Sequence, residues 1–245
     1  MTTSNTPLAP VPAHSPVTTE WLTLHTTDGP MQAYLARPPA GDGPGLLLLQ
    51  EIFGVNPHIR GVAEQYALAG FVVLAPDLFW RQGTRIELGY SGEDWQRAVA
   101  LMNTVQPDAV LSDLQAALRA LRARPEMTGR VGAIGYCMGG RLAYTAAALC
   151  EVAAAVAYYG GGIQKQLDLA PKITCPIQFH YGERGDHIPP DAVEAVRDAM
   201  AEQDAEIHIY PVAQHGFNCW ARASYHPASA ALAHGRSLAF LAQLF

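Results

Sequence analysis

Gly135-Tyr136-Cys137-Met138-Gly139-Gly140 is the stretch that decides how this chain is read. An apolar run, Val131-Gly132-Ala133-Ile134, leads into it, and Arg141-Leu142-Ala143-Tyr144-Thr145-Ala146-Ala147-Ala148 follows with the composition of a helix. A strand, a glycine-flanked sharp turn and a helix make a nucleophile elbow, here with cysteine where serine is usual. The glycines answer a steric need. The central residue sits in a strained turn, and a Cβ two residues to either side would strike the neighbouring helix and strand. Taken alone, the same letters also describe a buried thiol in a glycine-rich turn. No Gly-x-Ser-x-Gly occurs elsewhere, so no serine competes for the position.

The chain downstream supplies partners for the thiol. Pro176 to Gly182 is a short apolar strand ending at a glycine, and the loop after it reads Glu183-Arg184-Gly185-Asp186-His187-Ile188-Pro189-Pro190. Ala205 to Tyr210 alternates as the next strand, and its loop carries Gln214-His215-Gly216-Phe217. Cys137, Asp186 and His215 therefore each fall just past the C-terminal end of a predicted strand, where open α/β sheets build their sites. Nucleophile, acid, histidine is also the chain order of an α/β-hydrolase triad.

Upstream, Thr18–His25 and Met31–Ala36 alternate around a turn at Asp28-Gly29-Pro30, predicting an antiparallel hairpin. Gly45 to Gln50 and Phe71 to Ala75 are continuous apolar runs, as strands buried on both faces should be. Helical spacing runs from Pro57 to Ala69 and through Leu111, Leu114, Leu118 and Leu121, where Asp108 is the expected cap. Val152–Tyr159 is a further strand, Asp191–Met200 a helix, and Pro227 opens a closing helix that runs to Leu244. Strands alternating with helices after a hairpin predict an α/β fold with a doubly wound, mostly parallel sheet. Arg81 to Val105 has weak periodicity and is expected to contribute to a cap over the site.

The 245 residues suit one large domain, residues 18–245, behind a loose Thr/Ser/Pro-rich tail over residues 1–17. The tail has no basic or apolar segment of a signal peptide, and four cysteines without a C-x-x-C pair fit reduced thiols, so a cytoplasmic location is expected. A net charge of −6 and the absence of a basic run argue against nucleic acid, and strand-sized apolar stretches argue against a membrane. His180, His187, His208 and His215 crowd the last third without metal-ligand spacing, so neither a metal nor another cofactor is expected.

With these residues in view, the chain resembles the dienelactone hydrolases (carboxymethylenebutenolidases), a cysteine-dependent branch of the α/β-hydrolases. The resemblance rests on Gln50-Glu51-Ile52-Phe53-Gly54, Ala75-Pro76-Asp77-Leu78-Phe79, the cysteine elbow, Tyr158-Tyr159-Gly160, Asp186-His187-Ile188-Pro189 and His215-Gly216-Phe217. It implies hydrolysis of a small unsaturated, anionic lactone, such as a dienelactone opened to maleylacetate in aromatic degradation. It implies further that Glu51 lies beside Cys137, as a gate on the thiol or as the base that takes its proton. Backbone N–H groups of Ile52 and Met138 would form the oxyanion hole. Arg81 matches one carboxylate-binding arginine of the relatives. At the position of the second, four past His215, stands Cys219, and Arg222 is the nearest arginine. Tyr159 aligns with a tyrosine near the relatives' pocket, although a strand-end tyrosine is as readily packing. One extra residue before Asp186 makes Glu183 a competing acid; the Asp-His-Ile-Pro match favours Asp186.

Two alternatives stay open at this point. One is a general carboxylesterase or thioesterase on the same triad. The other is a redox or sensor thiol protein using Cys137 and Cys219, which would show no ester turnover.

Overall fold

Leu46-Leu47-Leu48-Leu49 and Val72-Val73-Leu74-Ala75 have no exposed residue, and they lie at the centre of the sheet, as their unbroken apolar sequences require. The structure, a computed structural model, describes residues 16–185 and 187–245. Its strands are β1 (Thr18–His25), β2 (Pro30–Arg37), β3 (Gly43–Leu49), β4 (Val72–Pro76), β5 (Met127–Tyr136), β6 (Ala155–Tyr158), β7 (Ile177–Gly182) and β8 (Ala205–Tyr210). They form one sheet in the order β1-β2-β4-β3-β5-β6-β7-β8. β1 pairs antiparallel with β2, and β2 with β4; every later pairing is parallel. The predicted hairpin and the doubly wound sheet are both present.

The helices are α1 (Pro57–Leu68), α2 (Gly92–Thr104), α3 (Pro107–Arg122), α4 (Met138–Leu149), α5 (Pro190–Ala199) and α6 (Pro227–Leu241), the last continued by a 3-10 turn to Leu244. Asn56 caps α1, its side chain accepting from the Ile59 N–H at 3.2 Å, with Pro57 preset for the first turn. α3 departs from expectation at its start. Gln106 is its N-cap and Pro107 its first residue, so Asp108 lies inside the first turn, where its charge favours the helix dipole instead of capping.

The segment with weak periodicity contains α2. Among its residues only Ala98 is fully buried, because this helix covers a cleft at the edge of the core, with Trp95, Val99 and Met102 half-buried against both. Val17 is 8% exposed and packs into the core. The rest of the tail expected from composition, Met1 to Ser15, lies outside the described residues, as does Asp186. No helix among the described residues is long and apolar enough to cross a membrane.

Candidate active site

Cys137 stands between β5 and α4 with φ +56° and ψ −114°, a conformation that costs a non-glycine residue energy and persists only where its surroundings enforce it. Those surroundings are backbone. A Cβ on Gly135 would lie 2.0 Å from the carbonyl oxygen of Gly139, and a Cβ on Gly139 would lie 2.1 Å from that of Leu49 in β3. The helix start and the neighbouring strand can approach this closely only with glycine at both positions.

His215, in the loop after β8, points Nε2 at Cys137 Sγ over 3.3 Å. It is 8% exposed, and its ring packs 5.0 Å from Tyr159 and 4.9 Å from His187. Asp186 is outside the described residues. Glu183, the competing acid, has no ion pair or side-chain hydrogen bond among them.

On the other side of Cys137, the turn after β3 brings in Glu51, fully buried. Its Oε1 accepts from Arg222 Nη1 at 3.2 Å, and Oε2 has no hydrogen-bond partner among the described residues. Burial raises the Glu51 pKa above the ordinary carboxylate value, with Arg222 opposing. Burial also pushes the Cys137 thiol up to about 12, and the charge of Glu51 adds to this. Arg222, the Met138 N–H and Arg141 pull the other way. Between them the surroundings hold Cys137 as a neutral thiol at neutral pH. The Ile52 N–H makes no backbone hydrogen bond among the described residues, and Met138 begins α4, where N–H groups lack intrahelical partners.

A cavity of about 350 Å³ opens over Cys137. Phe53, Trp95, Val99 and Met102 give it an apolar wall, so α2 supplies the cover expected of the Arg81–Val105 segment. Arg222 enters it beneath an aromatic cluster, its guanidinium carbon 5.8 Å from the rings of Phe53, Tyr90 and Trp95. Arg141 and Lys165 line it as well, and neither was singled out by sequence. For Arg141 a signal existed: four residues after Cys137 on a helix is the same face, one turn on.

Two expected contacts fall elsewhere. Arg81 does not line the cavity; it is tied to Asp113 of α3 at 2.5 Å and to Asp28 of the hairpin turn at 2.6 Å. Asp113 is fully buried and claims the guanidinium, so matching sequence position does not bring Arg81 to the cleft. Tyr159 is 1% exposed and packs behind His215 and Phe217 instead of facing the cavity.

The donors of Glu51, His58 and Cys219 lie within 4.8 Å of one another, the one such trio among the described residues. A cation there would face the Arg222 guanidinium bonded to Glu51, and burial holds Cys219 as a thiol, up to about 12. The trio therefore fits an arginine better than a metal.

The sequence model of the dienelactone hydrolase family matches residues 31–245. The chain belongs to that family. Among similar proteins is carboxymethylenebutenolidase 1 of Cupriavidus pinatubonensis, 35% identical over 218 residues, covering 88% of this chain and 93% of that one. The carboxymethylenebutenolidase of Pseudomonas putida is 34% identical over 229 residues, covering 92% and 97%. A crystal structure of a Klebsiella pneumoniae protein assigned as a dienelactone hydrolase superposes with a TM-score of 0.83 at 34% identity, covering 93% of this chain and 99% of that one. As a dienelactone hydrolase-family enzyme, the protein is a hydrolase on an α/β-hydrolase scaffold. Its Arg222 stands three residues past the position where the resemblance placed the family's second arginine, and reaches Glu51 from there.

Proposed function

We propose that this hydrolase opens small lactones, or cleaves related small esters, through a thioester on Cys137. The observation that carries the reading is the 3.3 Å approach of His215 Nε2 to a thiol held on a strained elbow at the floor of the cleft. In the reaction Cys137 Sγ adds to the ester carbonyl carbon as its proton passes to a base. The oxyanion rests on the N–H groups of Ile52 and Met138. Collapse breaks the bond to the leaving oxygen, which takes up the proton that left the thiol, delivered by way of His215. Water, deprotonated by His215, then adds to the thioester carbonyl and releases the acid and the thiol. Asp186 is assigned to orient His215.

The Glu51–Arg222 pair supports an anionic substrate. A substrate carboxylate competing for Arg222 leaves Glu51 as a buried carboxylate with less compensation, hence a stronger base toward the adjacent thiol. Glu51 in this reading first restrains Cys137 and then accepts its proton. The test is turnover of dienelactones and a panel of short esters by the purified protein and by Cys137→Ala. Hydrolysis by the parent, lost about 10³-fold in the variant, supports the reading. A parent inert on every ester, with a reversible disulfide at Cys137, would replace it with the thiol-sensor alternative.

A further inference from the structure

We infer that the cleft holds a second anion subsite, built from Arg141 and Lys165, and that the enzyme's preferred substrates are dianions with a charged group on each side of the scissile bond. This rests on the ester-hydrolase reading above.

The sheet order places the two ends of the cleft. β5, which carries Cys137, lies between β3 and β6. Glu51, and the Arg222 held on it, belong to the β3 side. Gly161, Gly162, Gln164 and Lys165 follow β6 on the opposite side, and all four line the cavity. Two strand spacings separate these loops, roughly 10 Å, with the thiol between them.

On the β6 side the cation is presented, not neutralised. The Arg141 N–H donates to the Cys137 carbonyl at 3.2 Å, which fixes its side chain one helical turn from the nucleophile. The guanidinium spends one long bond, Nη1 to the Gly161 carbonyl at 3.4 Å, and forms no ion pair among the described residues. Four of its five N–H donors are left for a ligand. A Cβ on Gly162 would lie 2.8 Å from Arg141 Nη1, so the absence of a side chain there leaves the guanidinium its place. Lys165 also lacks an acidic partner among the described residues, and it is one of only two lysines in the chain.

The contrast with the rest of the molecule gives the placement its meaning. A protein of net charge −6 brings Arg141, Lys165 and Arg222 to one small cavity, and no Asp or Glu among the described residues lines it. Cations gathered in a low-dielectric cleft focus potential on an anionic ligand. One anion satisfies Arg222; the unpaired pair beyond the thiol calls for another, such as a carboxylate on the leaving group.

Four aryl esters of one scaffold test this, with a carboxylate on the acyl chain, on the leaving group, on both or on neither. The readout is kcat/KM for the dianion divided by that for the better monoanion, taken within each protein so that a general loss of activity cancels. The parent should show a ratio of roughly ten, shrinking as salt is raised. Arg141→Gln/Lys165→Gln should bring the ratio close to one, and Arg141→Lys should keep part of it. A parent ratio near one, or an unchanged ratio in the double variant, overturns the subsite while leaving the hydrolase reading intact. If the parent cleaves none of the four, the hydrolase reading fails and the subsite falls with it.

Discussion

Glu51 and Arg222 form an ion pair, Oε1 to Nη1 at 3.2 Å, beside Cys137, with the Glu51 side chain fully buried and that of Arg222 only 11% exposed. The two residues are far apart in sequence and belong to the loops after β3 and β8. Their pairing keeps a negative charge next to a thiol that must ionise in the proposed reaction, so the resting site opposes that chemistry.

Replacing Glu51 with Gln should therefore release the thiol. The second-largest cause of the raised Cys137 pKa is removed, and Arg222, which lowers it, loses its partner. Iodoacetamide should alkylate Cys137 faster in Glu51→Gln than in the parent between pH 6 and 8. Ester turnover should fall, since in the proposed reaction Glu51 takes the thiol proton. Equal alkylation rates would show that Glu51 is no restraint.

Arg81 should matter to stability and not to substrate charge. Arg81→Met leaves fully buried Asp113 without its ion-pair partner and with only the Trp80 Nε1 hydrogen bond, at a cost of about 2–3 kcal/mol; a completely buried pair would cost more, but the Arg81 side chain is 28% exposed. Denaturant titration checks the first expectation. Comparing a substrate acid with its methyl ester checks the second, where the parent's preference should persist. A lost preference in a stably folded Arg81→Met would restore the role implied by sequence position.

His58 should make the protein acid-labile. It is 2% exposed, neither ring nitrogen has a hydrogen-bond partner among the described residues, and it packs edge-on against Trp220 at 4.1 Å. Burial first, and the Arg222 charge second, lower its pKa from 6.5 to about 4. The unfolded chain thus protonates at higher pH than the folded one. Stability is fully present above pH 6.5 and is lost as pH falls through about 4, by about 3 kcal/mol in total. His58→Phe should flatten the stability curve over that window. An unchanged slope would mean His58 is accessible enough to protonate while folded.

What was legible in the sequence was whatever short-range pattern determines. The unbroken Leu and Val runs announced the central strands, Pro57 and the glycines marked element ends, and the elbow's glycines encode a backbone approach that admits no Cβ. α2 escaped because a helix over a half-open cleft buries no continuous stripe. Arg81 misled because its partner Asp113 sits 32 residues away, on the face of α3 that the leucines define as core. The proposed subsite of Arg141 and Lys165 was not legible because α4 and the turn after β6 must meet before those charges share a cavity.

The most direct test of the account is intact-mass analysis, followed by peptide mapping, of the protein quenched in acid during turnover of a slow activated ester. The account predicts one acyl group, carried as a thioester on the peptide containing Cys137, cleaved by hydroxylamine and absent from Cys137→Ala. An acyl group mapped to any other residue, or steady hydrolysis by Cys137→Ala at the parent's rate, would contradict it.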